Sequence, residues 1–138
     1  MIETLRAVAH PWLCDINGHL NTRHYQSWFD DATMHLLGAC GFDAVNARLI
    51  GVGVVDVKCV MEYQAEVPPG GLTVLRSGFR KLGRSSFVSF HEMLSARSAQ
   101  LHATCETTSL FFDLEARRSM AMPDDFRQAV EALLEPES

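Results

Sequence analysis

The chain of 138 residues carries 17 acidic and 12 basic side chains, a formal net charge of −5, and an apolar share of 47%. That length suits one domain able to bury a core without covalent staples, and the charge balance excludes a nucleic-acid partner, whose phosphates demand clustered Lys and Arg. Cys14, Cys40, Cys59 and Cys105 are far apart, form no C-x-x-C pair and fall in apolar segments, so reduced, buried thiols are expected rather than a zinc ribbon or a disulfide framework.

The opening MIETLRAVAH carries an acid early and lacks a long apolar core, and no apolar run approaches membrane-spanning length, which points to a cytoplasmic protein with no membrane partner. Residues 4–9 read as a first strand. The next stretch, CDINGHLN at residues 14–21, crowds Asp15, Asn17, His19 and Asn21 into one loop. A connection needs turn formers, and Asn17-Gly18 supplies one, but it does not need an acid, an imidazole and two amides together. Beyond Asn21 the apolar residues Tyr25, Trp28, Phe29, Ala32, Leu36, Ala39 and Cys40 follow a helical spacing, with Gln26, Ser27, Asp30, Asp31 and His35 between them. This predicts a long helix ending near Gly41, with Asn21 suited to its N-cap.

Residues 41–49 read as irregular. From Val55 the period becomes two: Val55, Val57, Cys59, Met61, Tyr63, Ala65 and Val67 share one face, and Asp56, Lys58, Glu62, Gln64 and Glu66 the other. That is a long strand, stopped by Pro68-Pro69-Gly70-Gly71. Residues 72–82, 86–95 and 101–114 continue as strands joined by short turns, an antiparallel meander. Pro123 then opens a short helix whose Phe126, Ala129, Val130, Leu133 and Leu134 form one stripe, with Asp124 and Asp125 in its first turn. The order predicts an α+β fold in which a curled antiparallel five-stranded sheet covers one apolar helix.

The order of elements, the segment Asp15-Ile16-Asn17-Gly18-His19-Leu20-Asn21 with His24-Tyr25 soon after, the Leu82-Gly83-Arg84-Ser85-Ser86-Phe87 hairpin, and Phe111-Phe112-Asp113 before a Pro-led helix together resemble the hotdog-fold acyl-CoA thioesterases of the 4-hydroxybenzoyl-CoA thioesterase type. The resemblance covers nearly the whole chain. It implies a single hotdog domain over residues 1–138, hydrolysis of a small or medium acyl-CoA thioester, no cofactor beyond the CoA of the substrate, and a homodimer or homotetramer. The strands independently point to self-association, because a long exposed sheet edge needs covering.

By position, the resemblance assigns the catalytic carboxylate to Asp15; spacing alone reads it as a loop acid bonded to nearby backbone. Thioester hydrolysis needs a base to activate water or a nucleophile to attack the carbonyl, and a carboxylate can serve either way. Attack builds negative charge on the carbonyl oxygen, which free N–H groups at a helix N-terminus are suited to receive. With Asn21 as cap, the backbone N–H groups of Thr22 and Arg23 are the expected donors, Thr22 first. Gly18 permits the turn, and Asn17, His19 and Asn21 hold loop and helix start in register. Asp30 and Asp31 are the alternative acids, since some hotdog thioesterases draw theirs from the helix; their plainer reading is a solvated face and a subunit contact.

Tyr25 and Trp28 are candidate acyl-pocket walls, although their helical spacing equally suits core. Arg80, Lys81, Arg84 and Ser85 form the compact basic cluster and resemble the region where related thioesterases meet the nucleotide, with Arg117 and Arg118 as second choice. His24, His35, His91 and His102 share no metal-ligand spacing, so no metal is expected. Trp12, Trp28 and nearby aromatic residues suit a short, aromatic or cationic acyl group, a trimethylammonium among them. Two rivals stand beside the thioesterase. A hotdog enoyl-CoA hydratase is disfavoured, because its histidine stands one position further from the acid and a proline occupies the place of Gly18. A non-catalytic acyl-CoA-binding module is the other.

Overall fold

Asn21 decides where the long helix starts. In the computed structural model, which describes residues 1–135, its backbone is extended (φ −68°, ψ 138°) and its side-chain oxygen accepts the Arg23 N–H at 3.1 Å. One otherwise unpaired donor is satisfied, and the chain turns helical at the next residue. The resulting helix α1, Thr22–Ala39, buries Tyr25, Trp28, Phe29, Ala32, Leu36 and Leu37, the expected stripe with Leu37 in place of Ala39. It ends before Gly41, whose φ of +86° is the left-handed conformation that glycine adopts most readily.

The alternating segments form β1 (Ile2–Val8), β2 (Val52–Tyr63), β3 (Leu72–Leu82), β4 (Ser86–Ser95) and β5 (Leu101–Asp113). They make one antiparallel sheet in the order β1-β3-β4-β5-β2, and a two-residue strand, β6 (Arg118–Ser119), adds to the end of β5. Two shorter helices complete the α+β fold, α2 (Ala44–Leu49) and α3 (Asp124–Ala132). Helix α1 packs against β1, β3 and β4, while β2 forms a sheet edge with no further strand beside it among the described residues. Residues 136–138 of the expected domain lie outside the described residues.

The pairing gives the sheet two distinct ends. Val8 pairs with Leu72, Ala9 exchanges hydrogen bonds with Gly70 and Gly71, and Leu20 N–H reaches the Val67 carbonyl at 2.8 Å. The segment from β1 to α1 therefore sits where β2 ends and β3 begins, the loop end. The β3–β4 hairpin lies at the other end. Each end has its own apolar cluster: Leu20, Tyr25, Trp28, Phe29, Leu75 and Met93 belong to one, and Leu36, Phe79, Phe87, Phe111, Phe126 and Val130 to the other.

Between the clusters runs a buried polar band of Ser77, Ser89, His91, Thr107 and Ser109. Its groups pair with one another and with Thr33 and Asp56, as buried polar atoms must. Ser77 Oγ meets His91 Nδ1 at 2.6 Å, Thr33 Oγ1 on α1 meets His91 Nε2 at 3.1 Å, and the Ser109 hydroxyl donates to Asp56 at 2.7 Å. Burial lowers the His91 pKa to about 4, so the ring is neutral in the folded protein. A depressed histidine pKa means that the unfolded chain binds the proton more readily. Its contribution is whole above the unfolded value of about 6.5 and is lost as pH falls toward 4, a loss of about 3 kcal/mol. Urea unfolding at the two ends of that window should show this loss in the parent protein and a smaller one in His91→Gln. An identical acid-side loss in both proteins would contradict the assignment.

Three expectations need correction. Strand β2 spans 52–63 rather than 55–67, because Gln64 and Ala65 N–H both turn to the His102 carbonyl, at 2.8 and 3.1 Å, and end the ladder. Its register with β5 also slips between Asp56 and Lys58. A bulge of this kind exchanges the faces of a strand, so Val54 and Asp56, opposite Phe111 and Ser109, share the inward side with Cys59, Met61 and Tyr63. Second, residues 41–49 are not wholly irregular, since the Asp43 carboxylate accepts the Val45 and Asn46 N–H groups and starts α2. Third, Cys40 and Cys105 are buried but Cys59 is exposed on the edge strand and Cys14 half-buried; all four are free thiols.

Candidate active site

The loop that opens α1 is closed by its own backbone. Cys14 and Leu20 form an antiparallel bridge, Asp15 N–H donates to the His19 carbonyl at 2.9 Å, and Asn21 N–H donates to the Leu13 carbonyl at 3.0 Å. Inside this closure Gly18 N–H reaches the Asp15 carbonyl at 3.0 Å, and Gly18 adopts φ +78°, a turn conformation that L side chains disfavour. The polar crowding thus builds a short rigid loop whose first member is an acid and whose last is a helix cap.

Asp15 is half-buried. Its Oδ1 accepts the Asn17 N–H at 2.8 Å, the local backbone bond that spacing alone suggested, while Oδ2 has no hydrogen-bond partner among the described residues. At the other end of the loop the two expected donors differ. Arg23 N–H is taken by the Asn21 cap at 3.1 Å. Thr22 N–H has no acceptor among the described residues, so it is the free donor at the positive end of an 18-residue helix. His19 sits between them, its Nδ1 3.3 Å from the Leu20 carbonyl and its Nε2 3.6 Å from Glu66 Oε2.

A cavity of about 270 Å³ opens at this helix start, lined by His19, Leu20, Thr22, Tyr25, Tyr63, Gln64, Ala65 and Glu66. Tyr25 and Tyr63 meet with ring centroids 5.0 Å apart at 80°. Burial raises the Tyr25 pKa, and the neighbouring charges of Glu66 and Asp15 act in the same direction, so the phenol stays protonated in the neighbourhood of both acids. Tyr63 and Glu66 escaped the sequence reading because they lie at and beyond the end of β2, about forty residues from the helix start. The usable signal was parity: Tyr63 shares its strand face with Met61, which packs on the loop-end core.

Other candidates fall elsewhere. Trp28 is 8% exposed within the loop-end core and does not line this cavity. Trp12 is exposed and stacked on His10 at 4.4 Å. Asp30 accepts from Gln26 at 2.9 Å and borders a separate apolar cavity of about 480 Å³ between α1 and β2, and Asp31 is exposed. Among the described residues no group of three His, Cys, Asp or Glu side chains is placed to hold a metal ion.

Arg80, Lys81, Arg84 and Ser85 occupy the hairpin end, separated from Asp15 by the length of β3, which at 11 residues is on the order of 35 Å. One chain does not bring these cations to the loop. Arg80 is also engaged, its guanidinium 3.9 Å from the centre of the Phe90 ring, whereas Lys81 and Arg84 are exposed. Arg117 and Arg118 lie at the same far end, on the turn that pairs β6 with β5. No helix of the described residues is long and apolar enough to cross a membrane.

Residues 9–130 match the family model described as the thioesterase-like superfamily. A curated relative from Agrobacterium fabrum, named L-carnitine dehydrogenase/betainyl-CoA thioesterase, is 30% identical over 120 residues, or 86% of this chain and 24% of the relative. The chain therefore spans about a quarter of the length of the curated relative it matches. A 1,4-dihydroxy-2-naphthoyl-CoA thioesterase from Synechocystis superimposes with a TM-score of 0.83 at 18% identity, covering 96% of this chain and 97% of that one. A Staphylococcus aureus protein solved in complex with CoA gives 0.88 at 15% identity, covering 100% and 90%. At those identities the superpositions establish a shared hotdog fold, and the family match carries the rest: the chain belongs to the thioesterase-like superfamily.

Proposed function

We propose that the protein hydrolyses a small acyl-CoA thioester to the free acid and CoA, with Asp15 as the reacting carboxylate and Thr22 N–H as the donor to the carbonyl oxygen. The observation that supports this best is the closed loop itself, which carries an acid with one free oxygen at its start and an unpaired helix N–H just past its end. A carbonyl seated on Thr22 N–H gains stabilisation as negative charge develops on its oxygen, and the α1 dipole adds to it. Asp15 Oδ2 then attacks the carbonyl carbon, expelling CoA thiolate and leaving a mixed anhydride that water opens to the free acid, or it takes a proton from a water that attacks, and the tetrahedral intermediate collapses to the acid with loss of CoA thiolate. Single turnover in heavy-oxygen water tests the first route, because label enters Asp15 only when direct attack forms an anhydride that water opens at the Asp15 carbon.

The proposed unit is one hotdog domain over residues 1–138, cytoplasmic, and without metal or cofactor beyond the CoA of the substrate. The free edge of β2 and its exposed Val57, Val60 and Tyr63 support pairing with a second copy. A two-fold axis at that edge runs the two sheets antiparallel and brings the second copy's hairpin to the loop end of the first. In that homodimer Lys81 of the partner subunit and Arg84 of the partner subunit are the cations that meet the CoA phosphates. The likeness to the Agrobacterium betainyl-CoA thioesterase supports a betaine-like acyl group here.

The test is a panel of acyl-CoAs differing in length, aromaticity and charge, read by thiol release, with enoyl-CoA hydration followed on the same preparation. Thiol release without hydration is the expected result. Hydration alone, or binding with no turnover of any ester, would favour one of the two rivals instead.

A further inference from the structure

The cavity at the start of α1 has a chemical character that the hydrolytic step does not require. Its two aromatic walls, Tyr25 and Tyr63, meet edge to face, at 80° with centroids 5.0 Å apart; Tyr25 is 3% exposed and Tyr63 53%, so Tyr63 is the ring that a guest can reach. Glu66 lines the same cavity and brings a carboxylate. No Lys or Arg is among the lining residues, and the one basic ring, His19, sits 3.6 Å from that carboxylate. Aromatic faces and a carboxylate without a fixed cation favour a positively charged guest, because the ring quadrupole and the carboxylate attract the same sign. They repel a carboxylated one.

Size narrows the class. At about 270 Å³ the recess lies near the lower limit of small-molecule sites, about 300 Å³, and Thr22 lines it as well. A thioester whose carbonyl rests on Thr22 N–H therefore has space for a compact head group and little chain.

Resting on the thioesterase reading above, we infer that Tyr63 and Glu66, with Tyr25 packed behind them, form the acyl-specificity site, and that it selects a short acyl group ending in a quaternary ammonium. Tyr63 and Glu66 are then specificity-determining residues outside the loop motif. Neither takes part in bond breaking.

The test uses two esters of one shape, trimethylglycyl-CoA and 3,3-dimethylbutyryl-CoA, which differ by a quaternary nitrogen in place of a quaternary carbon. After division by the ratio of their uncatalysed hydrolysis rates, since the ammonium itself activates the carbonyl, the parent protein should favour the charged ester in kcat/KM by about fivefold or more, the scale of a cation–π contact at an exposed site. Tyr63→Leu and Glu66→Gln should each reduce that ratio severalfold, and the double variant should bring it near one. A parent ratio at or below one, or a ratio that neither variant moves, overturns the inference.

Calorimetric affinities of both esters for Asp15→Asn keep the two readings apart. A Kd preference that Tyr63→Leu abolishes upholds the site even if the parent protein releases no thiol, an outcome that would sink only the hydrolase reading. Equal affinities for the two esters overturn the site and leave hydrolysis of other acyl-CoAs standing.

Discussion

Asp15→Asn lowers kcat for thiol release by about 10²–10⁴-fold, the range for loss of a positioned acid–base group, and leaves the unfolding midpoint close to that of the parent. Asparagine is nearly isosteric with aspartate, and its amide oxygen can still accept the Asn17 N–H now bound at 2.8 Å, so the turn through Gly18 keeps its geometry. What the substitution removes is the negative charge on the free oxygen. Because that charge acts on the reacting carbonyl and not on the bound ester as a whole, KM should change little. Asp30→Asn and Asp31→Asn serve as the contrast: Asp30 is bonded to Gln26 and Asp31 is exposed, and both lie along α1 rather than in the loop that opens it. Stopped-flow thiol release on the three variants checks this, and a large loss in Asp30→Asn with a small one in Asp15→Asn would move the chemistry to the helix.

Thr22→Pro should cost about 10²–10³-fold in kcat, the range for loss of one oxyanion donor, with the fold intact. Proline removes the backbone N–H together with the hydroxyl, and the first residue of a helix is where a helix tolerates the loss of an N–H best. The preceding residue is already in the extended conformation that proline demands of its neighbour, Asn21 having φ −68° and ψ 138°. Thr22→Ala is the companion variant, since it deletes the hydroxyl and keeps the N–H. Near-normal turnover in Thr22→Ala beside a collapse in Thr22→Pro assigns the effect to the backbone. Equal, modest losses in both would mean that the side chain mattered and that the carbonyl oxygen sits elsewhere. Circular dichroism at matched concentration separates either result from simple misfolding.

What could be read from the residues follows from how local each feature is. Helix α1 was legible because a wide apolar stripe and an Asn cap lie within one stretch of chain, and the loop was legible because Asp15, Gly18 and Asn21 are neighbours in sequence. The face of β2 was not, because the register slip between Asp56 and Lys58 leaves no mark on a period-two pattern. Helix α2 was missed because six residues, Ala44–Leu49, are too few to show a period, although the Asp43 cap was available as a signal. The basic hairpin was found but could not be placed: only the pairing of β1 with the start of β3 shows that Arg84 and Asp15 occupy opposite ends of the sheet. The Tyr63 and Glu66 walls of the cavity depend in the same way on where β2 ends, and that is set by the His102 carbonyl collecting two N–H groups from across the strand. The buried band around His91 was likewise hidden, since its members come from β3, β4, β5 and α1 and meet only in the folded sheet.

The most direct test is a crystal structure of the protein with a non-hydrolysable ketone analogue of trimethylglycyl-CoA, in which a methylene replaces the thioester sulfur. The expected result is a ketone oxygen about 2.7–3.1 Å from Thr22 N, with the free Asp15 oxygen facing the carbonyl carbon across a gap no wider than one water molecule. A ketone oxygen turned away from the first turn of α1, with Asp15 pointing into solvent on the far side of its loop, would contradict the account.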